Sequence, residues 1–154
     1  MKFSTREDVS APLESVFAQL TDFDHYEKMA MRRGAQVKRE RQAGGLTGTV
    51  WDVSFAFRGK QRDLRLELVD IRENELMVFV GNTAGLTCTV EIELVAMSPK
   101  KTRVRLSADL KPQTLSARLM VQSMKLAKGN LDKRFSARVS DMAAEMGRRH
   151  AATA

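Results

Sequence analysis

Phe3, Thr5, Glu7 and Val9 alternate with Ser4, Arg6, Asp8 and Ser10, a period of two that predicts a strand with one covered face. Ala11-Pro12-Leu13-Glu14 then predicts a helix start, because proline suits the first helical position and a first-turn carboxylate meets the positive end of the helix dipole. Val16, Phe17 and Leu20 supply its buried stripe. A second short helix is expected from about Asp24 to Arg32, ending near Gly34.

From Ala35 onward the pattern predicts six more strands, approximately 35 to 42, 48 to 57, 61 to 71, 75 to 81, 85 to 97 and 101 to 111. The breaks carry turn chemistry at Ala43-Gly44-Gly45, Arg58-Gly59-Lys60, Arg72-Glu73-Asn74, Gly81-Asn82-Thr83 and Ser98-Pro99-Lys100. Connections this short imply antiparallel hairpins, since a parallel pair needs a long crossover. Trp51, Val53, Phe55 and Phe57 share one face, as do Leu64, Leu66 and Leu68, while Asp52, Arg65 and Glu67 take the other. One face of the meander is therefore wet and the other covered.

The cover is expected from the last segment, where Met120, Met124, Ala127, Leu131, Phe135, Val139, Met142 and Met146 recur at spacings of three and four. They predict a single long helix from a cap at Thr114 or Ser116 to about Gly147, roughly 50 Å at 1.5 Å per residue, with Gly129 as a candidate kink. The tail 148 to 154 is expected to fray. The whole chain, 1 to 154, reads as one α+β domain: a curved antiparallel sheet of about seven strands around a long C-terminal helix, with two short helices after strand one.

Composition narrows the function classes. Of 154 residues, 43% are hydrophobic and 29% charged, with only 3 Pro and 9 Gly, which fits a globular domain. No run approaches a membrane span and the N-terminus has no signal-peptide core, so a cytoplasmic location is expected. The lone Cys88 lies in an apolar strand and reads as an inert thiol. With His25 and His150 as the two histidines, triads and zinc sites built on His or Cys have too few parts, and Gly44-Gly45 with Gly48 make no phosphate loop. No cofactor is expected.

The formal charge of +7 is unevenly placed: residues 111 to 154 carry 9 Lys and Arg against 3 Asp and Glu, the first 110 carry 17 against 16. Arg118, Lys125, Lys128, Lys133 and Arg134, with Arg32, Arg33, Lys38, Arg39 and Arg41, make a basic set, but no interleaved aromatics suit base stacking, and nucleic acid is not the expected partner.

The order strand, two short helices, six strands, long helix resembles the START-like or helix-grip superfamily, including its polyketide cyclase/dehydrase and lipid-transport group and birch-pollen-allergen-type proteins. The local resemblance is strongest at Val9-Ser10-Ala11-Pro12, Val16-Phe17, Leu20, Asp22-Phe23 and Tyr26, and departs where many relatives have a tryptophan and this chain has Met29. The resemblance implies a fold built round a ligand cavity, among carriers, receptors, cyclases and ribosome-associated factors alike.

A cavity is expected on physical grounds too, because a strongly bent sheet meets one long helix along only part of its length. Trp51, Val53, Phe55, Phe57, Leu66 and Phe79 are the candidate sheet wall, and Met120, Met124 and Leu131 the helix wall, the flexible thioethers adapting to irregular contents. The indole N–H of Trp51 needs a partner, and a ligand oxygen is one candidate. Glu7, in phase with Phe3 and Val9, and Arg138, on the arc of Met120 and Leu131, are candidates for a polar anchor, with Arg62 as a third. His25-Tyr26 is placed near the cavity mouth.

Three functions follow: binding or transport of a small hydrophobic molecule such as a lipid, isoprenoid or polyketide-like compound; a cyclase, dehydratase or hydrolase using Glu7, Asp or Arg groups in the same cavity as acid and base; or a basic macromolecular-interaction module. A homodimer is compatible with each.

Overall fold

The computed structural model describes residues 1–40 and 45–153. The order is β1 (Lys2–Val9), α1 (Leu13–Leu20), α2 (Phe23–Arg32), β2 (Gln36–Glu40), β3 (Val50–Phe57), β4 (Lys60–Arg72), β5 (Leu76–Thr83), β6 (Leu86–Ser98), β7 (Lys101–Pro112), α3 (Leu115–Leu126) and α4 (Lys128–Thr153). All seven strands form one antiparallel sheet in the order β1-β7-β6-β5-β4-β3-β2. The meander thus runs from β2 to β7, and β1 closes on its far side.

Register shifts between Leu68 and Asp70 in β4 and between Ala96 and Ser98 in β6 mark bulges, which bend strands and raise their twist. The resulting curved sheet presents Val9, Trp51, Leu68, Met77, Ile92, Leu94 and Val104 to a core shared with Val16, Leu20 and Phe23 of the short helices and Ala143 and Met146 of α4.

Three turn and helix expectations are corrected. The turn expected at Gly81-Asn82-Thr83 falls at Ala84 and Gly85, whose φ of 46° and 74° fit a two-residue turn of the kind that matches strand twist. The expected single terminal helix is two, broken at Ala127 (φ −107°, ψ 16°) rather than kinked at Gly129. The physical reason is that the halves pack on different strands, α3 against β7 and α4 against β1 and α1, so the chain must turn between them.

Nor does the helix end near Gly147 or fray beyond it, since α4 is helical to Thr153. Gln19 Nε2 donates to the Met146 carbonyl at 3.0 Å, Arg149 pairs with Asp22 at 3.3 Å, and His150 Nδ1 lies 3.0 Å from Ser15 Oγ, which ties the last turns to α1 and the start of α2. The turn expected at Ala43-Gly44 lies outside the described residues, as does Arg41.

Candidate functional site

The α2 sequence places Phe23, Tyr26, Glu27 and Ala30 at i, i+3, i+4 and i+7, one face of the helix. Asp22 starts that helix by accepting from the His25 backbone N–H at 3.3 Å. The face closes over the edge of the sheet, where Val37 of β2 pairs with Val53 of β3 and Arg39 with Trp51. Between them lies a cavity of about 320 Å³. Leu66, Phe79, Ile92 and Leu106 of the inner strands form its floor, and Leu20 of α1 and Met142 of α4 complete the wall.

The lining is apolar except at Tyr26 and Glu27. Trp51 packs edge-on against Phe23 with ring centres 5.0 Å apart and lies 6.1 Å from Phe79. Its indole N–H donates to Glu27 Oε2 at 2.9 Å. The same oxygen lies 2.8 Å from Arg39 Nε, and Arg39 also pairs with Asp24. Glu27 and Arg39 side chains are each only 16% exposed, so this carboxylate is held by partners rather than presented to the cavity.

Tyr26 stands differently: burial above all, reinforced by the nearby carboxylates of Glu145 and Asp22 against an opposing Arg149, pushes its phenol up to about 12. No hydrogen bond joins its hydroxyl to another described residue. The cavity wall therefore contains one neutral, uncommitted phenol, whose charged neighbours Arg149 and Glu145 lie outside the lining.

Four of the sequence candidates meet in this cavity: Trp51, Val53, Leu66 and Phe79. The others do not line it. Phe55 is half-buried nearer the β3–β4 hairpin, and Phe57 is 48% exposed beside its tip, with the Arg58 guanidinium 5.4 Å from its ring centre. Met120 and Met124 are half-buried under α3, and Leu131 under the start of α4, because the break at Ala127 sets these turns apart from the cavity.

The polar anchor is not assembled. Glu7 is half-buried in β1 opposite Val104, outside the lining, and Arg138 is exposed on an outer groove of about 240 Å³ between α2 and α4. Arg62 lies opposite Phe55, its Nε buried with no hydrogen-bond partner. His25 also faces the outer groove, 3.6 Å from Glu145, while Tyr26 and Met142 wall both spaces. Cys88 is half-buried and its thiol pushed up, first by burial and then by Asp109.

The lining residues that the sequence did not single out for the cavity are Phe23, Glu27 and Ala30 of α2, with Leu20, Val37, Ile92 and Leu106. Glu27 had a signal: a carboxylate in phase with Phe23, Tyr26 and Ala30 faces inward and requires partners.

A curved sheet gripping a terminal helix, with an apolar cavity beside it, defines a START-like helix-grip fold, and solved structures share that fold. One START superfamily protein from Mycobacterium smegmatis matches at TM-score 0.58 and 14% identity, over 86% of this chain and 95% of that one. The Zhui aromatase/cyclase from Streptomyces sp. R1128 matches at 0.59 and 14%, over 86% and 88%. Norcoclaurine synthase from Thalictrum flavum, solved with dopamine and hydroxybenzaldehyde, matches at 0.62 and 12%, over 80% and 76%. At such identities these likenesses show the fold alone. No protein of curated function matches the sequence. The family model described as polyketide cyclase / dehydrase and lipid transport matches residues 1–147, and the chain belongs to that family.

Proposed function

We propose that this protein binds or carries one compact hydrophobic molecule in the cavity between α2 and the sheet. The observation that carries the reading is the apolar lining, in which the one carboxylate present is already engaged by Trp51 and Arg39, and the Tyr26 phenol is the candidate donor to a bound molecule. A volume of about 320 Å³ lies at the lower end of the ~300–1,000 Å³ range of small-molecule sites. It suits a single ring system or short isoprenoid with one carbonyl or hydroxyl, rather than a lipid with two long chains. We place this activity in the cytoplasm, as expected for a chain with one cysteine.

The test is native mass spectrometry of protein purified from its own host, followed by displacement of the co-purified molecule with an apolar fluorescent probe. The expected result is one molecule per chain, competing with the probe and returned chemically unchanged. Probe binding that survives a bulky substitution in the lining would overturn it.

A second reading, supported by the same hydroxyl, is a cyclase or dehydratase in which Tyr26 donates a proton or hydrogen bond to a substrate carbonyl. Glu7 does not serve it, lying outside the lining. Turnover of an aromatic polyketide substrate, lost in Tyr26→Phe, distinguishes enzyme from carrier.

A further inference from the structure

Helix α3 is apolar on two opposite sides. Its inner side buries Ala117 and Val121 and half-buries Met120 and Met124. At 100° per residue, Leu115, Leu119 and Leu126 fall within about 40° of one another, roughly opposite that inner side. They are 73%, 60% and 92% exposed, the three most exposed large hydrophobic side chains among the described residues. A scattered surface leucine needs no explanation, but three on one stripe of one helix make a face that water disfavours.

The charge around this face has one sign. Between Asp109 and Asp132 the chain contains Lys111, Arg118, Lys125 and Lys128 and no carboxylate. Arg118 and Lys125 are exposed on the same flank of the leucine stripe, and neither is ion-paired to a described residue. A two-fold contact between copies of this chain through α3 would set identical cations against one another with no acidic group on the segment to offset them.

An anionic lipid surface matches both properties, taking leucines into the acyl boundary and cations at the headgroups. The stripe spans about 16 Å along the helix. Among the described residues no helix is long and apolar enough to cross a membrane.

We propose that α3 is a membrane-docking helix that lays Leu115, Leu119 and Leu126 on an anionic bilayer. The inference goes beyond the ligand and stands whatever the cavity holds.

The test uses full-length protein sedimented with vesicles of phosphatidylcholine mixed with phosphatidylglycerol, and with phosphatidylcholine alone. Wild-type protein is expected to bind the mixed vesicles and to release at high salt. Leu115→Ser/Leu119→Ser/Leu126→Ser abolishes that binding. Arg118→Gln/Lys125→Gln weakens it about twenty-five-fold, since each cation near an anionic surface contributes about fivefold. All substituted side chains are exposed, and circular dichroism with an unchanged urea midpoint verifies folding. Failure of the wild type to bind mixed vesicles, or undiminished binding by the leucine variant, overturns the proposal. So does a wild-type dimer at sedimentation equilibrium that ignores vesicles and is split by the leucine variant, which would make the face a self-interface.

Discussion

Oε2 of Glu27 accepts the indole N–H of Trp51 at 2.9 Å and lies 2.8 Å from Arg39 Nε, so one carboxylate oxygen joins helix α2 to two neighbouring strands. This contact holds the helix face over the cavity. Removing the carboxylate in Glu27→Ala leaves the buried indole N–H without a partner and the Arg39 guanidinium with Asp24 alone.

Because Glu27 and Arg39 keep some water contact, the expected loss is about 2 to 3 kcal/mol, below that of a fully buried pair. Glu27→Gln keeps an oxygen for the indole and should lose only about 1 kcal/mol. Urea unfolding followed by the fluorescence of Trp51, the chain's single tryptophan, measures both. Equal midpoints for Glu27→Ala and wild type would show that the network contributes nothing.

The cavity itself is tested by filling it. Ala30 is the smallest lining side chain of α2, and Ala30→Phe or Ala30→Trp places a ring where the ligand is proposed to sit. Affinity for an apolar probe should fall about tenfold or more, while Phe57→Ala and Met120→Ala stay within about twofold. A large effect of Met120→Ala with none from Ala30→Trp would place the ligand under α3 instead.

The reason for that contrast shows what the sequence discloses. Strand alternation is local, so Trp51, Val53, Leu66 and Phe79 could be assigned to one face without knowing what covers it. The helix wall could not be assigned that way. Met120, Met124 and Met142 read as one stripe, yet the break at Ala127 leaves Met142 on the cavity and sends the other two under α3. Whether a helix bends at such a point depends on the strands beneath each half, a non-local matter. Arg138 is a different case: it shares α4 with Leu131, but at 100° per residue it falls roughly 100° round the helix from the buried Val139, Ala143 and Met146, on the outer flank. Glu27 was legible in principle, as an acidic residue in an apolar phase, but its partner Arg39 read as one member of a basic set.

Gly85 couples a hairpin to the start of α3. Its φ is +74°, and a Cβ there would come 2.5 Å from Thr114 Oγ1, the atom that caps α3 by accepting the Ala117 N–H at 3.1 Å. Gly85→Ala should therefore cost about 1 to 3 kcal/mol, from left-handed strain plus a displaced cap, and Thr114→Ala about 1 kcal/mol. In the double variant the clash with Oγ1 and Cγ2 is relieved, so the two losses should sum to more than the combined loss. Strict additivity in thermal unfolding would mean that the turn and the cap do not meet.

Tyr26 gives the pH signature. It is the chain's only tyrosine, so tyrosinate absorbance reads it alone. Burial, with Glu145 and Asp22 nearby, raises its phenol from 10.0 to about 12, which means the folded protein holds the proton after the unfolded chain has released it. The contribution to stability is thus complete below pH 10.0 and is lost as pH rises toward about 12. Its full size is at most about 2 kcal/mol, given the remaining contact of the ring edge with water. Tyr26→Phe should lack this segment, so its urea midpoint falls less steeply than that of the wild type above pH 10.0. A ligand that accepts the phenol proton in a hydrogen bond should delay the absorbance change further, and Tyr26→Phe should weaken its binding about fivefold. Titration near the ordinary tyrosine value would mean that the hydroxyl stands in water, and that the cavity lacks the donor on which the choice of ligand rests.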